Sequence, residues 1–194
     1  MPNKSVAKLL TILACTATLC LLPLVPASGI AAEAPVAAEK NPPGDIPDSQ
    51  VFIDYKSPAG FSMKVPEGWS RTDQPNGARF VDKYDLIDVS MASAALAPTV
   101  AGVEADQAKA LQGNGRAVKI TSVKSTSPDG GPGVVIQYTA NSEPNAVTNK
   151  QIRLERARYF IFKNGELVTL DMAAPLGADN VDQWALMSKS VRIQ

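Results

Sequence analysis

The sequence predicts an α+β domain, a twisted and mainly antiparallel β-sheet covered by helices. Three observations carry this. Apolar and polar residues alternate in several runs, which marks strands with one buried and one wet face. Short Gly-, Pro- and Asn-rich links join successive runs, and short links favour antiparallel neighbours, because parallel ones need long crossovers. Two other segments change to a helical period and supply the covering layer.

The first strands are expected at residues 51–55 and 61–65, joined by the turn Ser57-Pro58-Ala59-Gly60. Phe61, Met63 and Val65 alternate, and Pro66 and Gly68 end the run so that Trp69 reaches the core. Residues 78–83 and 86–94 follow, the latter with Ile87, Val89 and Met91 on one face and Asp88 and Ser90 on the other. Residues 100–112 then align Val100, Val103, Ala108 and Leu111 as a helix, with Gly113 and Gly115 as its stop.

Three long strands are expected next, at 117–126, 133–140 and 147–162. The link from Ser127 to Gly133 superficially resembles a phosphate-binding loop, but a strand rather than a helix follows it, so it reads as a turn. Asn164-Gly165 is the clearest hairpin signal, since both residues accept the positive φ of a type I′ turn. It leads into 167–174, where Val168, Leu170 and Met172 share a face. Asp179 is expected to cap a last helix bearing Val181, Trp184 and Met187, and Val191 to Ile193 a short closing strand. Trp69 and Trp184 read as core anchors.

Residues 1–32 have the parts of a cleaved secretory signal: Lys4 and Lys8, an apolar stretch from Leu9 to Val25, then small residues at Ala31 and Ala32. Thr11, Thr16, Thr18, Pro23 and Pro26 weaken a transmembrane reading. Cys15 follows an imperfect lipobox, Ile12-Leu13-Ala14, yet the apolar Leu19 to Val25 stretch is unlike the polar tether of an acylated cysteine. With Cys15 and Cys20 both in the signal, the mature chain is expected to hold no disulfide or cysteine ligand. Residues 33–50, with four prolines, read as an extended linker, and 51–194 as one domain. Losing the signal takes two lysines from a chain with 19 basic and 19 acidic side chains and leaves a net charge of −2, which argues against nucleic acid as partner.

Several short motifs in order make the chain resemble the PsbP-like family. They are Phe52-Ile53-Asp54-Tyr55, Gly60-Phe61-Ser62, Val65-Pro66-Glu67-Gly68-Trp69, the run from Phe162 to Leu170, Ala174-Pro175 and Ser190-Val191. The resemblance implies an α/β/α sandwich over residues 51–193. It implies further an exported accessory protein, in the periplasm, thylakoid lumen or outside the cell, that docks on a membrane-associated or periplasmic protein complex; in photosynthetic members that complex is photosystem II with its oxygen-evolving centre. A monomer is expected. The alternative is a small-ligand or calcium carrier with a pocket between sheet and helix.

The chain has no histidine, which removes Ser–His and Cys–His catalysis and the histidine metal contacts that some relatives make. The expectation is accordingly a non-enzymatic protein without an obligatory cofactor. Asp82, Asp85 and Asp88 are the densest acidic cluster, and a sharp turn at Lys83-Tyr84 would let Asp82 and Asp85 offer oxygens to calcium, although the spacing lacks the glycine and distal glutamate of an EF-hand. The competing reading is a solvated hairpin turn. Arg153, Arg156 and Arg158 form the other group. Alternation puts Arg156 and Arg158 on one face, where they can grip an anion on a partner or pair across strands with Asp171 or Glu166.

Overall fold

A computed structural model describes residues 33–194. The signal segment and Cys15 lie outside the described residues. Among the described residues, ten strands and a few helical turns run in the order β1 (Phe52–Ser57), β2 (Phe61–Pro66), β3 (Ser70–Gln74), β4 (Gly77–Asp82), β5 (Asp85–Ser93), α1 (Val100–Val103), α2 (Lys109–Asn114), β6 (Lys119–Thr126), β7 (Gly133–Asn141), β8 (Arg153–Lys163), β9 (Glu166–Pro175), α3 (Val181–Lys189) and β10 (Arg192–Ile193). Seven strands form one antiparallel sheet in the order β3-β4-β5-β9-β8-β7-β6, and β1-β2-β10 form a smaller one. The α+β class read from the alternation is the class observed.

The larger sheet has two apolar faces at different places. On the first, Ala78, Phe80, Ile87, Val89, Ile161, Val168, Leu170 and Met172 pack against Phe61, Met63 and Val65 of β2 and Met187 of α3. Trp69 and Trp184 are half-buried against this core. On the second face, Val134, Ile136, Tyr138 and Phe160 are covered by Val103 and Ala108, with Val100 and Leu111 beside them. These four helical positions step by three, five and three residues. An α-helix would rotate the five-residue step off the face; a π-helical turn at Glu104–Ala108 between α1 and α2 absorbs the extra residue and keeps Ala108 on the sheet. Thr99 caps the start, its Oγ1 accepting from Gly102 N–H at 3.1 Å.

Four elements differ from the expectation. β3 has no apolar alternation and is almost wholly exposed; its backbone completes β4, and the Arg71 guanidinium lies 4.8 Å from the centre of the Tyr55 ring. β8 begins at Arg153 rather than 147, because Asn145 Oδ1 accepts from the amides of Val147 and Thr148 and winds that stretch into a turn. The α3 cap is Asn180, not Asp179, and Val181 is exposed instead of joining the buried stripe.

The fourth difference is the segment expected to be a free linker, which lies along the domain as a strap. Ile46 is buried in the first core. Its amide donates to Asn180 Oδ1 at 2.7 Å, and Asn180 Nδ2 donates to Gly44 O at 2.8 Å. That spends the Asn180 side chain on the strap, so it makes no capping bond to its own helix. Gly44 has φ +146°, and a Cβ there would stand 2.6 Å from Pro175 Cδ.

Candidate functional site

The second face of the larger sheet is only partly covered, and the uncovered part is charged. Register places Arg79, Asp88, Asp171 and Arg158 directly side by side on β4, β5, β9 and β8. Two acids therefore stand between two arginines across four adjacent strands. Arg79 Nε donates to Asp88 Oδ2 at 2.8 Å. Arg158 donates to Asp171 Oδ2 from Nε at 3.1 Å and Nη2 at 2.5 Å. Arg156, one position along the same face, donates from Nη2 to that same oxygen at 2.9 Å.

Asp171 thus serves two guanidinium groups, and its side chain is only 7% exposed while those of Arg156 and Arg158 keep 21% and 27%. Burial is the largest effect and works against the Arg158 charge, but Asp171, Tyr138 and Asp88 together outweigh it and hold the guanidinium above its ordinary value. Tyr138 faces the same carboxylate, its hydroxyl 3.3 Å from both oxygens. Burial first, and the Asp171 charge second, push that phenol up to about 12, so it stays a neutral donor. Arg156 Nε is buried with no hydrogen-bond partner, and its guanidinium lies 5.6 Å from the Tyr138 ring centre.

These arginines line a cleft of about 610 Å³ between the α1–α2 segment and the sheet. Leu111, Val118 and Ala140 give it an apolar wall, and Gln107, Asn114 and Arg116 a polar one. A second hollow of about 320 Å³ shares Arg156 and Arg158 and continues over Arg79, Asp88 and Asp171. The arginine pair stands where the two meet.

Of the residues singled out in the sequence, Arg156 and Arg158 are brought together, and Asp171 is their partner. Glu166 instead accepts from Ser93 Oγ at 3.1 Å. Arg153 is separated from them and 5% exposed, donating to Ala117 O, Asn141 Oδ1 and Thr139 Oγ1 at 2.8, 3.0 and 2.6 Å. It is not a surface arginine; burial pulls its pKa down, and its work is to orient Asn141.

Asp82 and Asp85 do face each other across the Lys83-Tyr84 turn, with Lys83 at φ +52°. Asp85 points to the first face, under Gly44, whereas Asp88 points to the second and is held by Arg79. The three carboxylates do not converge, and no group of three metal-ligating side chains forms among the described residues. Burial, reinforced by the Asp82 charge, raises Asp85 to about 7.

Sequence reasoning passed over Arg79, Arg116, Tyr138, Asn141 and Gln151. Alternation does put Arg79 on one face of its strand, but only the register across four strands shows that it extends the Asp171 row. No helix among the described residues is long and apolar enough to cross a membrane.

No family model matches the chain, and no curated protein matches it. Among solved structures it is similar to cyanobacterial PsbP (CyanoP) from Synechocystis sp. PCC 6803, with a TM-score of 0.54 and 13% identity over 78% of this chain and 98% of that one. LpqN of Mycobacterium tuberculosis, described as involved in cell envelope biogenesis, gives a TM-score of 0.45 and 13% identity over 75% of this chain and 91% of that one. The likeness to cyanobacterial PsbP is one of fold, and it agrees with the PsbP-like architecture read from the sequence.

Proposed function

We propose that the chain is an exported, non-enzymatic accessory protein that docks on a membrane-associated or periplasmic protein complex by taking an acidic, extended segment of a partner into the arginine-lined cleft. The observation that carries this is the arrangement of two guanidinium groups on one carboxylate. Asp171 neutralises one charge, and the other remains in a concave wall with a donor, Arg156 Nε, that has no partner. Guanidinium pairs suit carboxylates because their planar donors match both oxygens. The leader read at residues 1–32 supports export, and the absence of histidine supports a binding role over hydrolytic catalysis. In a photosynthetic host, the PsbP-like resemblance makes photosystem II the first complex to test.

Crosslinking on intact membranes tests it, with wild type beside Arg158→Gln, whose amide still donates to Asp171 and keeps the sheet intact. The wild type should recover a specific partner and the variant much less of it. Equal recovery by both, or no specific partner with either, overturns the proposal.

The second reading is a carrier of a small anion, favoured by a cleft volume of about 610 Å³, within the range of small-ligand sites. Calorimetric titration with succinate and with inorganic phosphate separates the two: binding of either by the wild type, without a protein partner, favours the carrier.

A further inference from the structure

The cleft has a second place for an acidic group, and the chain's own strap fills it. Glu33 reaches the end of the cleft remote from Asp171, where Asn141 Nδ2 and Gln151 Nε2 donate to its Oε1, both at 2.7 Å, and Arg116 Nη1 donates to its Oε2 at 2.9 Å. Both oxygens are therefore satisfied by three side chains from different parts of the fold. Hydrogen bonds from Asn141 and Gln151, with Arg116 adding its charge, hold the Glu33 carboxyl below the usual glutamate range.

The receptor for this carboxylate is prebuilt. Asn141 is 4% exposed, and Arg153 fixes its Oδ1 so that Nδ2 points outward. The same amide group donates to Ala34 O at 2.9 Å, and Val36 N–H donates to Asn141 Oδ1 at 3.1 Å. One buried asparagine thus reads an extended backbone as well as its acidic side chain, which is the pattern peptide-binding sites use.

The occupant, by contrast, is held by these hydrogen bonds with little burial of its own. Glu33, Ala34 and Pro35 are exposed, as are residues 37–41, whereas the strap's apolar anchor at Ile46 is a separate contact. Glu33 can leave without disturbing Ile46. Its departure changes the charge of the cleft, because Arg116 then keeps only Glu143, whose side chain is 81% exposed.

We infer that the cleft takes two acidic groups of one extended partner segment, one at Arg156–Arg158 and one at Arg116–Asn141–Gln151, and that Glu33 is a tethered competitor for the second. The inference rests on the cleft reading above and adds its selectivity and its regulation. A tether as short as the one between Val36 and Gly44 gives Glu33 an effective concentration in the millimolar range. A single glutamate supplied from solution does not displace it at micromolar concentrations. A segment already held by Arg158 does, because its second acid is then tethered too.

The test uses the full chain and acetylated peptides with one glutamate, or with two glutamates separated by one to four alanines. The best two-glutamate peptide should bind Glu33→Gln about three- to tenfold more tightly than wild type. Arg116→Ala added to Glu33→Gln should bring it down to the one-glutamate affinity. Peptide binding to wild type should also speed hydrogen exchange of the Val36 amide, which a merely structural strap contact would not do. If two-glutamate peptides bind wild type and Glu33→Gln alike while Arg158→Gln still weakens them, the competition is wrong and the cleft stands. If no peptide binds any form of the protein, both fall.

Discussion

Arg158 and Asp171 stand directly opposite each other on β8 and β9, and Arg158 donates twice to a carboxylate oxygen that Arg156 also uses. Removing the carboxylate leaves two half-buried positive charges side by side on one face of β8.

Asp171→Asn should therefore destabilise the protein by about 2 kcal/mol, less than a fully buried pair because both arginines keep some water. The melting temperature should fall by about 6 °C. Sulfate should restore more of that loss than chloride at equal ionic strength, since the freed guanidinium groups then bind it. Equal recovery in the two salts would show that the arginines do not form an anion site.

Asp85 gives the protein a pH dependence of opposite sign to ordinary acid denaturation. Its pKa is raised to about 7 in the fold, against about 3.9 in the unfolded chain. The folded state binds the extra proton, so this stabilisation is full below about pH 4 and is lost as pH rises through 7. Asp82 and Asp45 push in this direction and Lys83 against it. Asp85→Asn should flatten the profile between pH 5 and 8 and stabilise the protein at pH 8 by about 2 kcal/mol. Thermal melts of both proteins at several pH values check this; parallel curves would refute it.

The strap should be separable from the sheet by one substitution. Asn180→Ala removes the buried bond from Ile46 and the half-buried one to Gly44 and should cost about 2–3 kcal/mol. Limited proteolysis should then cut near Glu39 and Lys40 several times faster than in wild type, with the remaining domain intact. Gly44→Ala should do the same through collision with Pro175.

Arg153→Lys should not be a conservative change, since one ammonium cannot reach Ala117 O, Asn141 Oδ1 and Thr139 Oγ1 in the fork geometry of a guanidinium. A loss of about 2 kcal/mol is expected, together with faster exchange of the Val36 amide. Chemical denaturation and hydrogen exchange measure the two effects.

How much of this was legible beforehand differs by element. Phe61, Met63 and Val65 alternate because one face of β2 is dry, and Asn164-Gly165 turns with both φ angles positive, at +53° and +84°, so local chemistry sufficed there. Alternation plus opposite charge narrows the cross-strand partner of Arg156 and Arg158 to Asp171 or Glu166, and the register selects Asp171. Local signals failed where a distant partner decided the outcome. β3 is polar and forms only because β4 offers an open edge. Asn180 abandons its helix for Gly44 and Ile46, more than a hundred residues earlier. The Glu33 receptor joins side chains at 116, 141 and 151, and no spacing in the sequence reveals it.

The strand order also divides the chain in time. β3-β4-β5 and β6-β7-β8-β9 are two ribbons in which each strand pairs with its neighbour in sequence, and among the described residues the strand pair that joins them is β5 on β9. The near end of that seam, Ser93 with Glu166, already spans 73 residues. Each ribbon can zip from its own turns, but closing the seam costs loop entropy that no local turn offsets. The Arg79–Asp88–Asp171–Arg158 row crosses this seam, with Arg79 and Asp88 on one ribbon and Asp171 and Arg158 on the other. The charged row therefore becomes complete only when this seam closes, and its assembly reports the joining of the two ribbons.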